Sequence, residues 1–77
     1  MDLATESLTV YVRLLDEGTN AFRPVVASWA GDARAILSIP PDYDAEDENW
    51  EFSPGSKVVV EKRVLSSGDV WVAVSLA

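Results

Sequence analysis

Apolar and polar residues alternate at a period of two through most of the chain, the pattern of strands with one buried face and one wet face. In SLTVYVRLL, Leu8, Val10, Val12 and Leu14 share one face while Thr9, Tyr11 and Arg13 line the other. Residues 16–20, DEGTN, set a glycine among polar turn formers and predict a reversal. AFRPVVASWA predicts a second strand, in which Pro24, lacking an amide hydrogen, belongs at an edge, a bulge or the first positions. Gly31-Asp32 divides it from ARAILSI and predicts a hairpin. Pro40-Pro41 closes that third strand, since neither residue continues a ladder.

NWEF predicts a short fourth strand with Trp50 and Phe52 on one side, and SPGS a tight turn with Pro54 ahead of Gly55. In KVVVEKRVL, a fifth strand, Val58, Val60 and Val64 share a face. SSGD reverses the chain into VWVAVSL, with Val70, Val72, Val74 and Leu76 on one face and Trp71, Ala73 and Ser75 on the other. No segment sustains a helical period; the nearest, Asp32 to Ile39, is short and already reads as a strand. The expectation is one all-β domain over residues 1–77, with five or six strands in an SH3-like barrel. Closure would remove the edges that valine-rich strands expose to other chains. An OB-type barrel or a compact sandwich is the alternative.

Composition changes the picture in three ways. A chain of 77 residues without cysteine has neither disulfides nor thiolate metal sites, so packing must supply nearly all its stability. Met1 to Ser7 carries Asp2 and Glu6 with no basic or apolar leader pattern, and no apolar run approaches a membrane span. A cytoplasmic protein without membrane contact is expected. Thirteen acidic against six basic residues give a formal charge of −7. Such a surface repels polyanions, so nucleic-acid binding is not expected, and a basic protein partner fits better. Solubility alone also accounts for such a charge.

Much of that charge is concentrated in DYDAEDENWEF, residues 42–52, within an acidic loop spanning 40–49. Asp42, Asp44 and Glu46 stand at alternate positions, as do the first ligands of a calcium loop. The rest of that motif fails, because Asp47 stands where glycine is needed and Ser53 where a bidentate glutamate is needed. With no lysine or arginine from 35 to 56, the expectation is a mobile loop extended by self-repulsion and anchored by Trp50. No metal or other cofactor is expected.

Catalysis is not expected either. Histidine and cysteine are absent, and Ser28 and Ser38 have no adjacent base in the sequence. Arg13 and Arg23 form a bidentate anion grip or, more simply, pair with nearby acids such as Asp16 and Glu17. Seven aromatic rings are more than so small a core holds, which puts some near the surface. Trp71 and Tyr11 fall on the polar sides of their strands and Tyr43 inside the acidic loop. Rings rimmed by charge suit a protein interface, or are simply the partly exposed rings of a small barrel.

The run Val12-Arg13-Leu14-Leu15-Asp16-Glu17-Gly18-Thr19, then Arg23-Pro24-Val25, then Trp50-Glu51-Phe52 with Pro54-Gly55, resembles a group of short, uncharacterised bacterial proteins. The resemblance covers residues 9 to about 74 and implies a shared fold and a bacterial origin. In that group the segment after Gly55 often carries a cysteine; here Val58 to Val60 takes its place, so no thiol chemistry carries over. The residues predict a non-catalytic interaction module of inhibitor, immunity or adaptor type. Asp42, Tyr43, Asp44, Glu46, Asp47, Glu48 and Trp71 are its candidate partner-binding residues. A small-ligand or calcium-binding barrel is the alternative.

Overall fold

A computed structural model of the chain describes residues 7–15, 21–44, 46, 48–65 and 68–77. The expected reversal at 16–20, Asp47, and the Ser66-Ser67 part of the last turn lie outside them. Five strands form: β1 (Ser7–Arg13), β2 (Phe22–Trp29), β3 (Arg34–Leu37), β4 (Lys57–Leu65) and β5 (Gly68–Leu76). They are hydrogen-bonded in chain order and close into a barrel, with no helix among the described residues. Each successive pair is antiparallel, and β1 meets β5 in parallel at Val10–Trp71 and Tyr11–Val72. That parallel seam is a consequence of number, since in an up-and-down run of five the first and last strands point the same way. The architecture is that of a small SH3-like or OB-type barrel.

The interior is filled by small and β-branched side chains, as a narrow barrel requires. Val10, Val12, Val25, Ala27, Ala35, Leu37, Val58, Val60 and Ala73 form one core with Trp50. In the β1–β2 ladder Val10 faces Val25 and Val12 faces Arg23, which puts Arg23 on the inward side of β2 where the barrel ends. At the other end Trp29, on the same face of β2, meets Trp71 edge-on at 5.2 Å. Tryptophans therefore close both mouths.

Where the local signals fall on described residues, Pro24 and the turns at Gly31 and Gly55 are realised. Pro24 lies in β2 before its ladder with β3 begins at Ala27, so its missing N–H costs no bond there. Pro54-Gly55 turns the chain with Gly55 at φ 87° and the Ser56 N–H donating to the Ser53 carbonyl at 3.1 Å. The Gly31-Asp32 hairpin forms, with Gly31 at φ 123° and Ala33 at φ 56°. A Cβ at Gly31 meets nothing within 4 Å, so a substitution there tests backbone strain without steric clash. Gly31→Ala should cost about 1–2 kcal/mol in urea unfolding. An unchanged midpoint would show that this loop relaxes freely.

Three expectations need correction. NWEF is not a strand: a single bridge, Leu14–Trp50, is flanked by Leu15 N–H to Asn49 O at 2.7 Å and Glu51 N–H to Arg13 O at 2.8 Å. The Pro54-Gly55 turn follows too closely for a longer ladder. Val64 is 78 % exposed instead of facing inward, because β3 pairs with β4 only at Lys57 to Val59. Beyond that β4 has β5 alone as a ladder partner, and its residues Glu61 to Val64 are all exposed. Finally, the inward face of β5 is Trp71 and Ala73, which pack in or against the core, and Leu76 is 64 % exposed. A register shift pairs Val59 with Ser75 and Val60 with Ala73, leaving Val74 as the extra residue and reversing the alternation. Val72 is buried too, but outside the core cluster.

Candidate functional site

The acidic segment folds back over one mouth of the barrel, and the residue that draws it there is Arg23. Its guanidinium donates from Nη1 to Glu48 Oε1 at 2.5 Å and from Nη2 to Asp42 Oδ1 at 3.2 Å. The same group lies 5.7 Å from the centre of the Trp50 ring. Glu48 Oε1 also accepts the Trp50 indole N–H at 2.9 Å. Trp50 is only 5 % exposed, and Tyr43 meets its ring edge-on at 5.2 Å. One carboxylate oxygen thus joins an arginine on a strand to a tryptophan sealing the core.

Short-range bonds shape the rest. Tyr43 N–H donates to the Pro40 carbonyl at 3.1 Å, Glu46 N–H to Asp44 Oδ1 at 2.9 Å, and Glu48 N–H to the Asp44 carbonyl at 3.0 Å. The described residues between Pro40 and Trp50 therefore make a folded lobe and not the extended loop expected from self-repulsion. The compensating cation comes from a strand 25 positions away from Glu48 in the sequence. Among the described residues Arg23 pairs with Glu48 and Asp42; Asp16 and Glu17 lie outside them.

Electrostatics follow from this geometry. The hydrogen bond from Arg23 is the main cause that holds the Glu48 carboxyl below its ordinary value of 4.5, and the Trp50 indole adds to it. Desolvation and the Asp42 charge act in the opposite direction. In return Glu48, through the same bond, raises the Arg23 pKa further above its ordinary value. A carboxyl whose pKa is depressed on folding contributes stability above its unfolded value, and this is lost as pH falls through the folded value. Glu48→Gln should therefore be less stable than wild type near neutral pH, and the gap should shrink as pH falls below 4.5. Urea midpoints across that range measure it; a gap independent of pH would mean that the charge of Glu48 does not hold the lobe.

The candidate partner-binding residues divide by position. Asp42, Tyr43, Asp44, Glu46 and Glu48 all belong to the lobe. Asp42, Asp44 and Glu46 are exposed, Tyr43 is half-buried against Trp50, and Glu48 is turned inward onto Arg23. Trp71 stands at the other mouth with Trp29, and Lys62 Nζ sits 4.7 Å from its ring centre. Arg23 and Trp29 are six residues apart on β2, about 20 Å at strand rise, so Trp29, the ring that Trp71 meets, is well separated from Arg23.

Arg23 itself was the residue that pattern reading underrated. Its spacing of two from Val25 and four from Ala27 puts it on their inward face, where an arginine requires a carboxylate partner. Arg13 is exposed instead, beside a shallow hollow of about 240 Å³ that Glu51 and Arg63 also line. Among the described residues no three histidine, cysteine, aspartate or glutamate side chains are grouped so as to hold a metal ion. An apolar cleft of about 250 Å³ lies beside the lobe, between β2 and residues 38–41. Comparison with protein-family models, with curated proteins and with solved structures gives no match.

Proposed function

We propose that the chain is a non-catalytic interaction module, of inhibitor, immunity or adaptor type, whose acidic lobe attracts and orients a basic surface on a partner protein. The observation that carries this reading is the division of labour among the carboxylates. Glu48 is committed to Arg23 and Trp50, and so holds the lobe in shape. Asp42, Asp44 and Glu46 remain on the outside of a folded segment, where their field is fixed in direction. Among the described residues Asp42 alone of the three is paired with a cation, and its side chain is still 77 % exposed. The formal charge of −7 supports the same choice of partner and disfavours nucleic acid. The setting we propose is the bacterial cytoplasm, in keeping with the group of short proteins that its segments resemble.

The test is affinity capture from a bacterial lysate at low salt on immobilised wild type and on the variant Asp42→Asn, Asp44→Asn, Glu46→Gln. Proteins retained by the wild type, released by salt and lost on the variant are the expected result. Equal retention by both chains would overturn the proposal.

A further inference from the structure

We infer that the apolar cleft beside the lobe seats an aliphatic or proline side chain of an extended, lysine- or arginine-bearing peptide segment of the partner. This rests on the proposed function and adds to it what the partner inserts. Pro24 and Val26 of β2 form one wall of the cleft, and Ile39, Pro40 and Pro41 the other. Val26 and Ile39 are 60 % and 66 % exposed and line the same cleft with three prolines, so their apolar surface is contiguous and not scattered. The volume, about 250 Å³, is below the range of about 300–1,000 Å³ typical of small-molecule sites. It suits a side chain rather than a cofactor.

The backbone of the cleft excludes one way of binding. Pro24, Pro40 and Pro41 have no N–H, the Ser38 N–H is taken by the Val26 carbonyl, and the Pro40 carbonyl accepts from Tyr43. A strand added edge to edge would find few groups to pair with. Recognition must then come from apolar contact and from charge, and the charge is at hand. Arg23 lines the cleft, yet it is already paired with Glu48 and Asp42. Asp42 directly follows Pro41 in the chain, with Asp44 and Glu46 beyond it. An extended peptide advances about 3.3 Å per residue, so a basic residue a few positions from the inserted side chain reaches these carboxylates. A second copy of this chain would instead bring one acidic lobe towards another and be repelled.

The experiment is selection from a display library of random, unstructured peptides on the full chain, followed by titration of enriched peptides at several salt concentrations. Enriched sequences should pair an aliphatic residue or proline with a nearby lysine or arginine. Ile39→Ser, outside every strand, should weaken their binding about tenfold or more without changing its salt dependence. Val26→Thr, nearly isosteric, should weaken it through the opposite wall. Neutralising Asp42, Asp44 and Glu46 should weaken it and flatten the salt dependence. Peptides lost on neutralisation but indifferent to Ile39→Ser and Val26→Thr would overturn the cleft and leave the acidic lobe as the site. A library yielding no enriched peptide would count against both. Self-association abolished by Ile39→Ser would assign the cleft to a second copy and overturn the inference.

Discussion

Trp50→Ala should lower the free energy of unfolding by about 3–5 kcal/mol, the largest single effect expected of any side chain in the lobe. The ring is 5 % exposed, belongs to the core cluster and carries the bridge to Leu14. Its removal also uncovers the Arg23 guanidinium and deprives Glu48 of the indole hydrogen bond. Domains of this length have total stabilities of about 4–12 kcal/mol, so the variant should be marginal at physiological temperature. Phe52→Ala should cost less, about 1–3 kcal/mol, because Phe52 is half-buried and packs against the core without entering it. Urea unfolding followed by far-ultraviolet circular dichroism separates the two. A Trp50→Ala protein that unfolds with the wild-type midpoint would place the ring on the surface and leave the lobe without an anchor.

Neutralising Asp42, Asp44 and Glu46 together should act in the opposite sense on stability and strongly on binding. Asp42 loses an exposed ion pair with Arg23, worth about 0–1 kcal/mol, while the repulsion among lobe carboxylates falls. Asn at position 44 still presents an oxygen to the Glu46 N–H, so the turn survives. The expected melting temperature is unchanged or slightly raised. Association with the basic partner found by lysate capture should slow by about tenfold or more, with dissociation much less affected, because steering charges act mainly on encounter. A variant that associates at the wild-type rate would separate the lobe from recognition.

The sequence was legible where a residue's fate depends on its near neighbours. Val10 and Val12 on β1, the glycine turns at 31 and 55, and the position of Pro24 follow from alternation and backbone constraint. Legibility failed where closure of the barrel decides. Val64 continues the pattern of Val58 and Val60, but no strand remains alongside to cover it. The bulge at Val74 exchanges the two faces of β5, and nothing in VWVAVSL marks it, since both faces are apolar. The lobe failed for a third reason. Its charge density was plain, but the cation that folds it lies on β2, brought near only because Leu14 and Trp50 bridge across the same mouth. Trp50 was readable as an anchor; the spacing of Arg23 from Val25 and Ala27 marks its inward face, but not that its partners are Glu48 and Asp42.

If the acidic lobe attracts a basic partner as proposed, the association rate constant of that pair, measured by stopped flow over a range of ionic strength, tests it most directly. Wild type should show a rate that falls steeply as salt rises and the Debye length shortens from about 10 Å at 0.1 M. The Asp42→Asn, Asp44→Asn, Glu46→Gln protein should show a slower rate with a shallow slope. Parallel lines for the two proteins, or a wild-type rate indifferent to salt, would contradict the account.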